Sequence, residues 1–171
     1  MMKLFTRQMT EASATEILSW RYPSPYDLYN NEVSAEGIRD LLTHPYTAIV
    51  DENAKLVAFF CTGQSAIVPK GHDFNVYQQE SLDIGLGVRP DLTGKGSGSI
   101  FLKFILSQIE ADFLRLTVAK FNQRAIRLYE KFGFKQESEF DNGSTEFIVM
   151  TRIASENDSN SFTTRKARGK L

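Results

Sequence analysis

The chain has 171 residues, 42% hydrophobic and 12% aromatic, with 20 Lys and Arg against 21 Asp and Glu. That length suits one domain with a sizeable core, the apolar and balanced composition excludes a disordered chain, and a net charge of −1 lacks the basic footprint of a dedicated nucleic-acid binder. The single cysteine, Cys61, excludes an intrachain disulfide, His44 and His72 stand too far apart to suggest zinc, and no apolar run approaches the roughly 18 residues of a membrane span. The expectation is a cytoplasmic protein with no metal, no membrane partner and no nucleic-acid partner.

Residues 2–7 read as a first strand. Thr10 then caps a helix through Trp20, with Ala14, Ile17 and Leu18 at helical spacing. Pro23 and Pro25 break the following loop, which holds Trp20, Tyr22, Tyr26 and Tyr29 with Arg21 and Asp27. Ser34 caps a second helix whose stripe is Ile38, Leu41 and Leu42, and Pro45 closes it. Residues 46–51 and 55–62 form a hairpin around Asp51-Glu52-Asn53-Ala54. Residues 64–80 read as a loop and 82–88 as a strand. Residues 96–109 are helical, with Leu102, Ile105, Leu106 and Ile109 at i, i+3, i+4, i+7. Residues 113–118 alternate as a strand, and 122–132 form a helix ended by Gly133. Residues 134–140 and 146–153 make a last hairpin around Asp141-Asn142-Gly143. The order is β-α-α-β-β-β-α-β-α-β-β, an α+β arrangement over residues 1–154. Residues 155–171 read as a polar, basic and flexible tail, either solvated or an arm for an acidic partner.

The chemistry concentrates between residues 82 and 101. Gly94, Gly96 and Gly98 alternate where a helix begins. Glycines there permit positive φ and close backbone approach, and amides aimed at one point at a helix N-terminus suit a phosphate. The spacing is neither that of a P-loop nor that of a dinucleotide fingerprint, because Arg89, Gly96 and Ser99 stand where those patterns need other residues. In the preceding strand, Asp83, Gly85, Gly87 and Arg89 share one face. Two glycines on that face signal either crowding by a packed element or a surface bared for a ligand. The second reading is preferred here because they lead into the anion loop.

Val88-Arg89-Pro90 followed by Thr93-Gly94-Lys95-Gly96-Ser97-Gly98 resembles the acetyl-CoA motif of the GCN5-related N-acetyltransferase (GNAT) superfamily, of the bacterial single-domain type. Residues 116–134, with Asn122, Tyr129 and Gly133-Phe134, resemble the family's second motif. Thr93 departs from the pattern, which usually has Gln or Arg there, so one long side chain near the phosphates is missing.

The resemblance implies the GNAT fold: a mixed, mostly antiparallel sheet splayed between its fourth and fifth strands, with helices on both faces. It implies acetyl-CoA as cosubstrate and direct attack by a primary amine in a ternary complex. The acceptor is then a small-molecule amine or a peptide N-terminus. A non-catalytic acyl-CoA-binding module is the alternative, and a homodimer stays open. Backbone groups of Leu86, Gly87 and Val88 would pair with pantetheine. Thr93, Gly94, Lys95, Gly96, Ser97 and Gly98 would hold the pyrophosphate, although Lys95 reads equally as a solvated lysine. Asn122 would contact the coenzyme or cap its helix, or both. Tyr129 would protonate the leaving thiolate, unless it only belongs to the stripe of Ala125, Leu128 and Phe132. Asp83 is the candidate base and Glu80 a weaker one, against a plain hydrogen-bonded Asp83. Trp20, Tyr22, Tyr26 and Tyr29 would wall the acceptor site with Asp27 as the acid for a cation, or else pack the loop onto itself. Cys61 reads as a small buried residue.

Overall fold

A computed structural model of the protein describes residues 2–154. The polar basic segment 155–171 lies outside the described residues. The elements follow the expected order: β1 (Leu4–Gln8), α1 (Glu11–Ser19), α2 (Ala35–Thr43), β2 (Tyr46–Asp51), β3 (Leu56–Thr62), β4 (Leu82–Val88), α3 (Gly98–Gln108), β5 (Phe113–Ala119), α4 (Gln123–Lys131), β6 (Lys135–Asp141) and β7 (Glu146–Ile153). They build one seven-stranded sheet in the order β1-β2-β3-β4-β5-β7-β6. Every neighbouring pair is antiparallel except β4 and β5.

Local chemistry sets the boundaries. Thr10 and Ser13 form a reciprocal capping box at the start of α1, and the Ser34 hydroxyl accepts from the Gly37 N–H at the start of α2. Asn122 caps α4 by accepting from the Ala125 N–H at 3.2 Å. Gly133, at φ +90°, ends α4 in the left-handed conformation that glycine favours.

Strand alternation divides the core. Ile49, Ile84, Leu116 and Met150 point to the face covered by α3 and α4, where Phe101, Ile105 and Ile126 meet them. On the opposite face Ala48 packs with Ile17, Leu18 and Leu41 of α1 and α2. The rest of that face is covered by the segment 63–80, which forms short 3₁₀ turns at Gly63–Ala66 and Pro69–Phe74 where the sequence reads as a loop. Its Val68 and Val76 pack on Ala119, Phe140, Phe147 and Val149.

Gly85 and Gly87 do not bare a face for a ligand. A Cβ on Gly87 would lie 2.3 Å from the Phe59 ring, and one on Gly85 would lie 3.0 Å from Cys61 Sγ. The expectation of a stripped surface is corrected to close packing: Phe59, held near Trp20 and Tyr46, takes the space that a side chain at Gly87 would need. What β4 leaves open is its edge.

Candidate active site

The parallel β4–β5 ladder consists of Leu82↔Leu114 and Asp83↔Arg115 and goes no further. Beyond Asp83 and Arg115 the two strands part, and the wedge opens into a cleft of about 800 Å³. Leu86, Gly87 and Val88 line one wall of it and Leu116, Thr117 and Val118 the other. The Arg89 N–H bonds the Val57 carbonyl on β3 at 2.9 Å. Because a strand turns its backbone groups to alternate sides, Leu86 and Val88 direct theirs into the wedge. Apart from the Val88 carbonyl, which accepts from the Tyr22 hydroxyl, these groups lack a strand partner on that side, the feature that an extended, amide-containing ligand can use.

At the end of the wedge stands the glycine loop. Gly94 and Gly96 have φ of +72° and +76°, backbone that glycine adopts at little cost. The Thr93 hydroxyl donates to the Pro90 carbonyl and the Ser97 hydroxyl to the Leu92 carbonyl, both at 2.7 Å. Ser97 thus closes the loop and leaves α3 without a side-chain cap. The first amides of α3 keep their donor capacity and the positive end of the helix dipole. Thr93, Gly94, Gly96 and Gly98 line the cleft, whereas Lys95 is exposed and Lys95 and Ser97 stand outside its lining. Arg124, in the first turn of α4, reaches across: its Nη1 would lie 2.8 Å from a Cβ on Gly94, and its Cζ sits 4.3 Å over the Tyr26 ring.

The aromatics of the loop after α1 gather at the same cleft. Trp20, Tyr22, Tyr26 and Tyr29 all line it, with Leu28 and Phe59, while Asp27 does not. The Tyr22 hydroxyl donates to the Val88 carbonyl at 2.7 Å, and burial pushes its pKa up to about 12. Tyr29 accepts from Asn122 Nδ2 at 3.1 Å. Asn122 therefore serves both as helix cap and as an anchor for the loop. Tyr129 packs on Phe134 and the main core through its ring. Among the described residues its hydroxyl has no protein hydrogen-bond partner, and it borders the cleft. Burial, then the neighbouring Tyr29, raises its pKa.

The acetyltransferase (GNAT) family matches residues 12–134. This chain belongs to the GNAT acetyltransferase family. Solved structures of similar fold include a chimera of the Vibrio cholerae spermidine N-acetyltransferase SpeG and hSSAT, 17% identical over 93% of this chain and 98% of that one, with a TM-score of 0.65. An uncharacterized protein from Bacillus halodurans is 19% identical over 96% of this chain and 88% of its own, with a TM-score of 0.68. The spermidine/spermine N-acetyltransferase SpeG of Vibrio cholerae is 19% identical over 92% and 96%, with a TM-score of 0.63. No curated protein sequence matches the chain significantly.

Within this GNAT domain two expectations need correction. Asp83 is not disposed as a base. Its Oδ1 and Oδ2 each accept from the Arg115 guanidinium, from Nε and Nη2, at 2.7 Å. The pair is buried, with side chains 10% and 6% exposed, and neither residue lines the cleft. Both Asp83 oxygens are taken up by Arg115, which also donates to the Gln79 carbonyl and lies 5.1 Å over the Tyr77 ring. The bond with Asp83, above all, raises the Arg115 pKa. The pair thus pins the segment 63–80 at the point where the β4–β5 ladder ends. Glu80 is exposed and also outside the cleft.

Three cationic residues were missed by sequence reasoning: Arg124, Arg127 and Lys131 line the cleft from α4. Their i, i+3, i+7 spacing is a visible stripe. Nothing in the sequence tells that this stripe faces the glycine loop. Cys61 is buried as expected, and burial pushes its thiol up to about 11, far from the reactive thiolate range.

Proposed function

We propose that this GNAT domain is an N-acetyltransferase that moves an acetyl group from acetyl-CoA to a primary amine by direct attack in a ternary complex. The observation that carries the reading is the end of the β4–β5 ladder at Asp83 and Arg115, which opens a backbone-edged wedge directly beside the glycine loop. The residues present suit the coenzyme. Leu86 and Val88 offer strand-edge groups to an amide-bearing arm, although the Val88 carbonyl is already engaged by Tyr22. Gly94 and Gly96 admit an anion against the backbone, and Arg124 supplies the positive side chain that Thr93 lacks.

Acetyl-CoA supplies an acetyl group on a thiol leaving group. The chain's own contribution is to hold, polarise and protonate. Backbone N–H groups at the splayed edge, Leu86 and Val88, polarise the carbonyl as charge develops on its oxygen. The Tyr129 hydroxyl gives its proton to the departing sulfur; its raised pKa keeps that proton in place at neutral pH, and among the described residues no protein group competes for it. The amine releases its proton to water, since none of the described residues lining the cleft is Asp or Glu.

The test is release of free thiol from acetyl-CoA in the presence of a panel of amines and peptides. Amine-dependent release that Tyr129→Phe slows in kcat supports the reading. Saturable binding of acetyl-CoA with no release on any acceptor contradicts it. The buried Cys61 adds little background to a thiol readout.

A further inference from the structure

The cleft has an unbalanced charge inventory. Every ionisable side chain lining it that is charged at neutral pH is a cation: Arg124, Arg127 and Lys131. Among the described residues none of the three makes an ion pair, and none of the lining residues is Asp or Glu. The part of the wall contributed by α1, the loop after it and β3 is uncharged and largely apolar: Trp20, Tyr22, Leu28 and Phe59. Asp27, the acid that the sequence offers for a cation, is exposed and does not line the cleft.

Resting on the acetyltransferase reading above, we infer that the acceptor is a monoamine whose remaining body is uncharged and apolar or aromatic, and that the site discriminates against polyamines. A second ammonium entering this cleft loses water without gaining a carboxylate. An apolar body instead buries its surface against Trp20, Leu28 and Phe59, and aromatic rings add favourable ring–ring geometry. The reacting amine escapes the same penalty because it must become neutral before attack. Selectivity here comes from uncompensated desolvation of a second charge as much as from fit.

A matched pair tests this. Pentylamine and 1,5-diaminopentane have the same chain length and differ in one terminal amine. Thiol release from acetyl-CoA is measured with each, alongside 2-phenylethylamine and spermidine. The account expects kcat/KM for pentylamine and 2-phenylethylamine to exceed that for the diamine and spermidine by about tenfold or more. Leu28→Asp, which adds a carboxylate at a half-exposed lining position, should narrow that gap by raising the diamine. Trp20 is the chain's one tryptophan and lines the cleft, so its fluorescence reports amine binding without turnover. Equal or better use of the diamine or spermidine overturns this inference and leaves the acetyltransferase reading standing. No thiol release with any amine overturns the acetyltransferase reading, and Trp20 titrations that favour the diamine then overturn the charge argument as well.

Discussion

The hydroxyl of Tyr22 donates to the carbonyl of Val88 at 2.7 Å, across 66 residues of chain. This bond ties the aromatic loop after α1 to the splayed edge of β4, so the proposed acceptor wall and the proposed coenzyme wedge share one anchor. Replacing Tyr22 by Phe keeps the ring and leaves the Val88 carbonyl without that partner. A loss of about 0.5–1.5 kcal/mol in urea unfolding is expected. KM for the amine should rise more than kcat falls, because the loop is positioned less well while the reacting groups remain. Unchanged stability and unchanged KM would show that the bond is incidental.

Tyr129 has a signature in pH. An acid loses its function as pH rises through its pKa, and burial raises that of Tyr129 above the ordinary value of 10.0. The hydroxyl therefore keeps its proton throughout the usual assay range. Between about pH 8 and pH 10, kcat should show no alkaline decline assignable to Tyr129. A decline with a midpoint below 10 that disappears in Tyr129→Phe would place the wrong pKa, or the wrong group, at the sulfur.

Arg124 offers a way to separate phosphate binding from pantetheine binding. Its guanidinium lies against Gly94 and over Tyr26, and a charge-assisted contact to a phosphate contributes about 1.5–3 kcal/mol. Calorimetry with Arg124→Gln should show coenzyme A binding weakened by about tenfold or more. Affinity for pantetheine, which carries no phosphate, should stay within about twofold. Parallel losses for both ligands would mean that Arg124 acts on the shape of the cleft and not on the anion.

The Asp83–Arg115 pair predicts a stability phenotype. Removing one member of a buried pair leaves an uncompensated charge, at a cost of about 3–5 kcal/mol. Asp83→Leu should lower the thermal midpoint sharply. The double change Asp83→Leu with Arg115→Met should recover most of that loss, since an apolar pair of similar volume needs no partner charge. If the double variant folds well and keeps the wild-type pH profile of kcat/KM, Asp83 has no role in proton transfer. If it folds but turnover collapses, Asp83 acts in the chemistry after all.

The order of elements was legible because each boundary has a local cause. Thr10, Ser34 and Asn122 cap helices, Gly133 ends one, and the turn at Asp141-Asn142-Gly143 joins the last hairpin, with Gly143 at φ +100°. The glycine loop was legible for the same reason, since Gly94 and Gly96 need backbone that other residues resist. Relationships across the chain were not. Asp83 meets Arg115 only through the register of a parallel ladder, which no local pattern encodes. Phe59 fills the space at Gly87 because β3 and β4 pair at that register. The direction of Arg124 depends on how α4 lies beside the loop. Each of these is set by tertiary packing, so side-chain types alone left the glycine-bearing face and the base open to the wrong reading.

The central claim is that the wedge between β4 and β5 binds acetyl-CoA with its phosphates on the glycine loop. The most direct measurement is calorimetric titration of acetyl-CoA into the protein and into Gly96→Glu. A Cβ at Gly96 meets nothing within 4 Å, so the substitution has room there, and its cost is the strain of a non-glycine residue at φ +76°, about 1–3 kcal/mol. The carboxylate lands where the phosphates are expected. The account predicts saturable one-to-one binding to the wild type and its loss in a folded Gly96→Glu variant. Equal affinity in the two proteins, or no binding to either, would contradict it.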